Sequence, residues 1–273
     1  MAFTHSLPHP IVWYLDSFVS AFVPLEGPLV VSFTGSGGKT TTLRNLATYW
    51  ANLGMSVLVS TTTRMLNPSH HDYSFDHVCI VEGDQQDIPK PVKGCVTIYG
   101  REDGKKISPV GGKLLSQAMR PFDRVLLESD GARGLPLKIH AERDPVIDAA
   151  TNVVVALMGL SALDRPLDDR VMFLSDRFRQ LTGSISDTVD ESIYLALLEH
   201  PEGVFKRCGG LPVVVCCNQS DVVGADRTRQ VLRYVAEHWH GRSFTCIGCS
   251  LHDGSVCGEE VVVEPNGSQR RLW

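Results

Sequence analysis

The chain has 273 residues, of which 43% are hydrophobic and 21% charged, and its formal net charge is −5. This composition is typical of a globular protein with an apolar core and excludes a disordered chain. The acidic balance argues against a non-specific binder of nucleic acid or membrane surfaces, so we expect neither as a partner. There is no apolar run of about 18 residues and no basic start typical of a signal peptide. Together with eight cysteines, this predicts a cytoplasmic location.

Six short runs rich in Val, Ile and Leu are separated by segments long enough for helices. They lie at 29–33, 56–60, 124–129, 153–158, 212–217 and 244–248. Strands without apolar–polar alternation are usually buried on both faces, as in a parallel sheet covered by helices. Apolar residues at helical spacing over 39–53, 187–199 and 224–238 fit this arrangement. We therefore predict an α/β fold that resembles P-loop NTPases, with a mostly parallel, doubly wound sheet flanked by helices.

The predicted fold has four parts along the chain. They are an amphipathic N-terminal helix (1–25), a nucleotide-binding core (26–164), a small, mainly helical insertion (165–210), and the last strands and helix of the core with a polar tail (211–273). Two weaker strands near 77–100 are predicted to form a hairpin at the sheet edge.

The most informative segment is a glycine-rich loop between a buried strand and a helix. It contains Gly35, Ser36, Gly37, Gly38, Lys39, Thr40 and Thr41. Glycines allow backbone N–H groups to point at an anion, and the helix N-terminus adds a partial positive charge. Lys39 would reach the β- and γ-phosphates of a nucleotide, and Thr40 would bind Mg²⁺. The loop is shorter than the full P-loop pattern and resembles that of Mur ligases; the alternative is a simple glycine-rich turn.

Acidic residues end the strand at 124–129. Glu128 and Asp130 would lie at the carboxyl edge of the sheet, where ligands of open α/β sheets bind. At least one of them is predicted to hold Mg²⁺, and with Lys39 they are the predicted catalytic groups. The alternative is a turn, because Asp130-Gly131 is a common turn pair.

Two neighbouring segments are candidate contacts for a substrate or a phosphate. Thr62, Thr63 and Arg64 follow the second strand, and Arg133 and Lys138 follow the acidic cluster. The alternatives are hydroxyls that complete a strand and cations on a solvated face.

A candidate base-reading loop follows the strand at 212–217. Asn218 and Asp221 resemble the Asn-Lys-x-Asp element of GTPases, with Gln219 in place of Lys, and Ser250 follows the next strand. The alternative is ordinary loop structure, so the sequence leaves ATP and GTP both open.

The pair Cys246 and Cys249 is a lone Cys-x-x-Cys motif. A structural zinc site usually needs two such pairs, so buried thiols are the favoured interpretation over zinc binding or redox chemistry.

Several longer segments resemble the YqeC family, which is associated with selenium-dependent molybdenum hydroxylases and selenium cofactor biosynthesis. The resemblance is carried by the segments 33–41, 57–65, 125–138, 141–148, 157–167, 197–203 and 213–221. The most specific is the Glu-x-Asp-Gly-Ala segment that starts at Glu128. Arg64 and Arg143 stand at or beside positions where the family often has His, and Val171-Met172-Phe173 replaces a Val-His-Arg. Roles of those histidines therefore do not carry over.

The resemblance implies a protein that assists maturation of a hydroxylase cofactor. Two functions are compatible with it. The first is a Mg²⁺-dependent NTPase or phosphoryl-transfer enzyme that uses ATP or GTP. The second is a non-hydrolysing carrier that binds a phosphate-bearing, molybdopterin-type cofactor. A molybdenum hydroxylase apoprotein is a candidate partner in both cases.

Overall fold

The computed structural model describes residues 10–70, 75–83, 85–252, 261–263 and 269–270. The helices are α1 (Pro10–Val19), α2 (Lys39–Asn52), α3 (Gly112–Met119), α4 (Ser175–Thr182), α5 (Glu191–Glu199), α6 (Ser220–Val223) and α7 (Ala225–His238). The strands of the first half are β1 (Leu29–Gly35), β2 (Val57–Thr61), β3 (Met65–Leu66), β4 (His77–Val81), β5 (Val96–Asp103), β6 (Lys106–Ser108) and β7 (Arg124–Glu128). Those of the second half are β8 (Leu137–Lys138), β9 (Val153–Gly159), β10 (Met172–Phe173), β11 (Val213–Asn218), β12 (Phe244–Gly248), β13 (Val261–Val263) and β14 (Gln269–Arg270).

A mostly parallel sheet forms the centre of the fold, as the six apolar runs predict. The order of the main path is β14-β13-β12-β11-β9-β1-β7-β2-β5-β6-β3, and β4 pairs with β5. The pairings along β12-β11-β9-β1-β7-β2-β5 are all parallel. Strand β1 is central, with β7 on one side and β9 on the other. Further strands extend the sheet on both sides of these three.

Helices cover both faces of the sheet. On one face, α1 and α2 pack on alternate residues of the central strands, including Val31, Val155 and Val214. On the other face, α5 and α7 cover β9, β11 and β12, and α3 covers β1, β2 and β7. Burial on both faces explains why the strand sequences are continuously apolar. This confirms the predicted α/β class.

The predicted edge hairpin near 77–100 is wrong in its pairing. Strands β4 and β5 run parallel, with His77 opposite Thr97. The segment between them is long enough to bring the chain back to the same end of the sheet, as parallel pairing requires. The hairpin is formed instead by β5 and β6, where Asp103 pairs with Lys106 across a turn at Gly104, whose φ is +60°.

The segment 165–210 is only partly helical and is not separate from the core. It contains α4 and α5, and β10 pairs in parallel with β8. Its residues Phe178, Ile193 and Tyr194 belong to the same apolar cluster as Val215 and Val231 of the main fold. A segment that packs directly on the central sheet has no separate core, so the predicted subdomain is an integral layer of the fold.

The two ends of the chain differ in part from their predictions. The N-terminal helix is confirmed from Pro10, and residues 1–9 lie outside the described part. Within the predicted polar tail, β13 and β14 extend the sheet as antiparallel strands, and the rest lies outside the described residues. No helix of the described chain is both long and apolar enough to cross a membrane.

Candidate phosphate-binding site

The glycine-rich loop leaves the sheet at the carboxyl end of β1, between β7 and β9. This is the position at which open α/β sheets bind ligands. Gly35, Gly37 and Gly38 have φ angles of +84°, +85° and +123°, which favour glycine. A Cβ atom at Gly35 would lie 2.2 Å from the Leu157 carbonyl oxygen, and one at Gly37 would lie 2.4 Å from the Gly159 Cα. The loop therefore needs glycine both for its backbone conformation and for its contact with the end of β9.

Three backbone N–H groups at the start of α2 have no helical acceptor. Ser36 donates its N–H to the Leu157 carbonyl at 2.9 Å, and the first helical bond runs from the Thr42 N–H to the Gly38 carbonyl at 3.0 Å. The amides of Lys39, Thr40 and Thr41 precede that bond and have no acceptor within the helix. No side chain in the described ranges caps this N-terminus. The arrangement suits an anion.

Lys39 folds back into the loop. Its Nζ donates to the Gly35 carbonyl oxygen at 2.6 Å and lies 2.9 Å from Asp130 Oδ1. Burial lowers the pKa of Lys39, but Asp130 and Glu128 raise it more, so the net pKa lies above its usual value. The ammonium is therefore charged and held at the centre of the loop.

Asp130 is fully buried and is surrounded by positive and polar groups. Its Oδ2 accepts the Gly35 N–H at 2.8 Å and lies 3.0 Å from Lys138 Nζ. Burial raises the pKa of Asp130, but Lys39 and Lys138 together lower it by a larger amount. The net pKa therefore lies below its usual value. The predicted metal ligand is therefore a carboxylate already engaged by Lys39 and Lys138, and it fixes the loop rather than lining the cleft.

Lys138, a candidate contact for a substrate or a phosphate, is also buried and does not line the cleft. Its Nζ donates to the Gly131 carbonyl at 2.7 Å, and burial lowers its pKa despite Asp130. His140 Nδ1 lies 3.3 Å from Asp130 Oδ2. Burial lowers the pKa of His140 to about 3, so this imidazole is neutral near pH 7.

Glu128 and Thr40 face a cleft beside the loop. The Thr40 hydroxyl donates to Glu128 Oε2 at 3.2 Å. Burial raises the pKa of Glu128, and Lys39 partly offsets the shift. The cleft has a volume of about 440 Å³. Its lining comes mainly from the glycine-rich loop, the sheet edge and the segment after β7: Gly37, Gly38, Lys39, Thr40, Thr41, Arg64, Met65, Leu66, Lys106, Glu128, Gly131, Ala132, Arg133, Gly134, Leu135 and Gln219. The sequence predicted several of these residues, including Arg64 and Arg133, but it did not indicate Lys106 on β6.

The residues predicted to contact a substrate divide into two groups. Arg64 and Arg133 line the cleft. The Thr62 hydroxyl instead donates to the Val146 carbonyl at 2.5 Å, and the Thr63 N–H donates to Thr61 Oγ1 at 3.1 Å. These two threonines shape the loop after β2 instead of lining the cleft.

Asn218, Asp221 and Ser250, the candidate base-reading residues, do not line the cleft. Asn218 donates from Nδ2 to the Gly37 carbonyl at 2.7 Å and accepts the Leu251 N–H at 2.9 Å. It therefore ties the glycine-rich loop to the loop after β12, which also contains the fully buried Ser250. Asp221 is exposed on α6, whereas Gln219 lines the cleft and accepts the Ser161 hydroxyl at 2.7 Å.

The Cys-x-x-Cys pair is buried, as predicted. Cys246 and Cys249 are at most 1% exposed, and Cys246 Sγ lies 3.7 Å from Cys217 Sγ. Among the described residues, no three His, Cys, Asp or Glu side chains are grouped to hold a metal ion. The thiols are part of the apolar packing around β11 and β12.

The fold and this site define the class of the protein: an α/β protein with a mostly parallel sheet and a glycine-rich loop at the end of its central strand. The family model of the YqeC protein matches residues 31–176. A relative from Escherichia coli (strain K12), "Uncharacterized protein YqeC", is 32% identical over 185 residues, which are 66% of this chain and 71% of the relative. No solved structure matches the chain. The chain belongs to the YqeC family.

Proposed function

We propose that this protein is a P-loop nucleotide-binding protein, a Mg²⁺-dependent NTPase or phosphoryl-transfer enzyme. The observation that carries the proposal is the loop itself: Lys39 at its centre, free amides at the start of α2, and the Thr40–Glu128 pair beside it. These are the groups that position and neutralise a transferring phosphoryl group. A glycine-rich turn that only linked a strand to a helix would not require a buried lysine paired with a carboxylate.

The donor set beside the loop fits a Mg²⁺ ion. Thr40 and Glu128 supply a hydroxyl and a carboxylate oxygen in contact with each other, and Mg²⁺ usually takes one or two protein oxygens with water and phosphate oxygens. When bound, the ion would neutralise charge on the phosphates. Asp130 is assigned a different task, because it holds Lys39 and the Gly35 N–H in place.

The proposed biological role is assistance in maturing the cofactor of selenium-dependent molybdenum hydroxylases. It is supported by the resemblance of segments along most of the chain to the YqeC family, the most specific of which contains Glu128 and Asp130. A carrier of a phosphate-bearing, molybdopterin-type cofactor would use the same loop, so hydrolysis distinguishes the two functions.

Calorimetric titration with Mg-ATP and Mg-GTP tests the nucleotide site. Lys39→Ala should weaken binding about 10- to 100-fold, since a hydrogen bond to a charged group contributes about 1.5–3 kcal/mol. Thr40→Val should remove the dependence of affinity on Mg²⁺ while keeping the fold. Lys105→Gln, an exposed lysine outside the cleft, is the matched control.

Three results would alter the proposal. Unchanged affinity in Lys39→Ala and Thr40→Val would contradict it. A preference for GTP that is lost in Asp221→Asn would assign base reading to the loop after β11. Tight binding of a molybdopterin dinucleotide without NTP turnover would favour the carrier.

A further inference from the structure

The cleft beside the phosphate loop has a second wall that phosphate binding at the loop does not require. Its residues come from the edge of the sheet and from the segment after β7. They are Arg64, Met65, Leu66, Lys106, Arg133 and Leu135. The wall therefore combines three cations with three apolar side chains.

The position of this wall in the sheet separates it from the candidate base-reading loops. Strands β3 and β6 lie beyond β5, on one side of β1, whereas β11 and β12 lie on the other side. A nucleotide held by the loop would have its phosphates between the two. If its base lies towards β11 and β12, the wall at β3 and β6 is left for a second ligand.

The charges of this wall are only partly compensated. Arg64 forms an ion pair with Asp103. Among the residues that the structure describes, Lys106 and Arg133 have no carboxylate partner within ion-pair distance. Within the described part of the chain, Glu128 is the one carboxylate that lines the cleft. In a chain of net charge −5, this local excess of positive charge favours an anion.

Arg133 is exposed, but its guanidinium packs on an aromatic ring. Its φ angle is +52°, which is uncommon for a residue other than glycine. Its guanidinium lies 5.0 Å from the centre of the Phe173 ring, a distance at which the ring stabilises a cation. The Phe173 ring thus stabilises this guanidinium at the cleft.

We propose that this wall binds an organic anion beside the nucleotide. Its phosphate or carboxylate group would contact Lys106 and Arg133, and its apolar body would lie on Met65, Leu66 and Leu135. The inference rests on the proposed nucleotide site, because it names the chemical class of that site's second ligand.

Phenyl phosphate and benzoate are suitable probes, with benzyl alcohol as the neutral control. Each is titrated calorimetrically into the protein alone and into protein saturated with Mg²⁺ and a non-hydrolysable ATP or GTP analogue. At least one anionic probe should bind the saturated protein at one site, at least ten-fold more tightly than benzyl alcohol. Lys106→Gln and Arg133→Gln should each weaken that binding about five-fold or more, and should weaken probe binding more than analogue binding. Lys105→Gln should change neither.

The outcomes separate the two proposals. Competition between probe and analogue, or probe affinity unchanged in Lys106→Gln and Arg133→Gln, would overturn the second-ligand site. If the analogues do not bind but a probe still requires Lys106 and Arg133, the nucleotide function fails while the anion site stands. A phosphate-only or a carboxylate-only response would identify which anion the wall selects.

Discussion

At the scale of single residues, Asp130 determines the geometry of the site. One buried carboxylate is in contact with Lys39, Lys138 and the Gly35 N–H. A buried charge is tolerated only when it is paired and hydrogen-bonded. The charge of Lys39, which the proposed function needs at the loop, therefore depends on a residue that does not line the cleft.

Removing Lys138 should destabilise the protein strongly, because the fully buried Asp130 would lose one of its two lysines. We expect Lys138→Met to lower the free energy of unfolding by about 3–5 kcal/mol, the usual cost of breaking a buried ion pair. Urea denaturation followed by circular dichroism measures this change. The double variant Lys138→Met/Asp130→Asn should recover part of the loss.

Lys93 provides the control for this prediction. Its Nζ lies 2.6 Å from Asp123 Oδ2, but its side chain is 72% exposed, so Lys93→Met should cost only about 0–1 kcal/mol. Equal losses in Lys138→Met and Lys93→Met would mean that Asp130 does not depend on Lys138.

At the scale of elements, the strand–loop–helix unit could be predicted from the sequence. The directions of some side chains in the site could not. The apolar run of β1, the glycines and the helical spacing of α2 locate the loop. Asp130 follows the end of β7 at Glu128, where the alternation of an extended strand no longer applies. Its burial against Lys138 depends on a segment whose sequence shows no periodicity. For the same reason Lys106, which lies on the three-residue strand β6, was not predicted.

The fit of the loop against β9 can be tested at Gly37. A Cβ atom there would lie 2.4 Å from the Gly159 Cα, so Gly37→Ala must displace the loop from the strand. We expect a loss of unfolding free energy above 2 kcal/mol, at the upper end of typical single-residue effects of about 0.5–3 kcal/mol, and loss of nucleotide binding. Calorimetric titration and urea denaturation measure the two effects.

Gly27 is a matched control, because its φ of +84° is nearly that of Gly37 but a Cβ atom there would have no neighbour within 4 Å among the described residues. Gly27→Ala tests backbone strain alone, about 1–2 kcal/mol, and should leave nucleotide binding intact. A similar cost at both glycines would show that contact with β9 does not constrain the loop.

At the scale of the whole molecule, the sheet joins two helical layers into one structure. The central strands could be predicted because continuous apolar runs are local signals. The packing of 165–210 on β9 and β11 was not predicted, because the short helices there depend on non-local contacts. Phe178 and Tyr194, which lie in that segment, share one cluster with Val154 and Val215 of the sheet.

We therefore expect the helical layers on both faces of the sheet to unfold together in a single transition. Trp50 is fully buried on the face covered by α1 and α2, and Trp239 is buried in the opposite cluster. Trp239→Phe leaves Trp50 as the buried reporter of the described chain, and Trp50→Phe leaves Trp239. In each variant the fluorescence and circular dichroism transitions in urea should coincide, since shared strands couple the two layers. Fluorescence of Trp239 that changes at lower urea than the circular dichroism signal would instead show that the layer containing 165–210 unfolds separately, as an independent helical subdomain would.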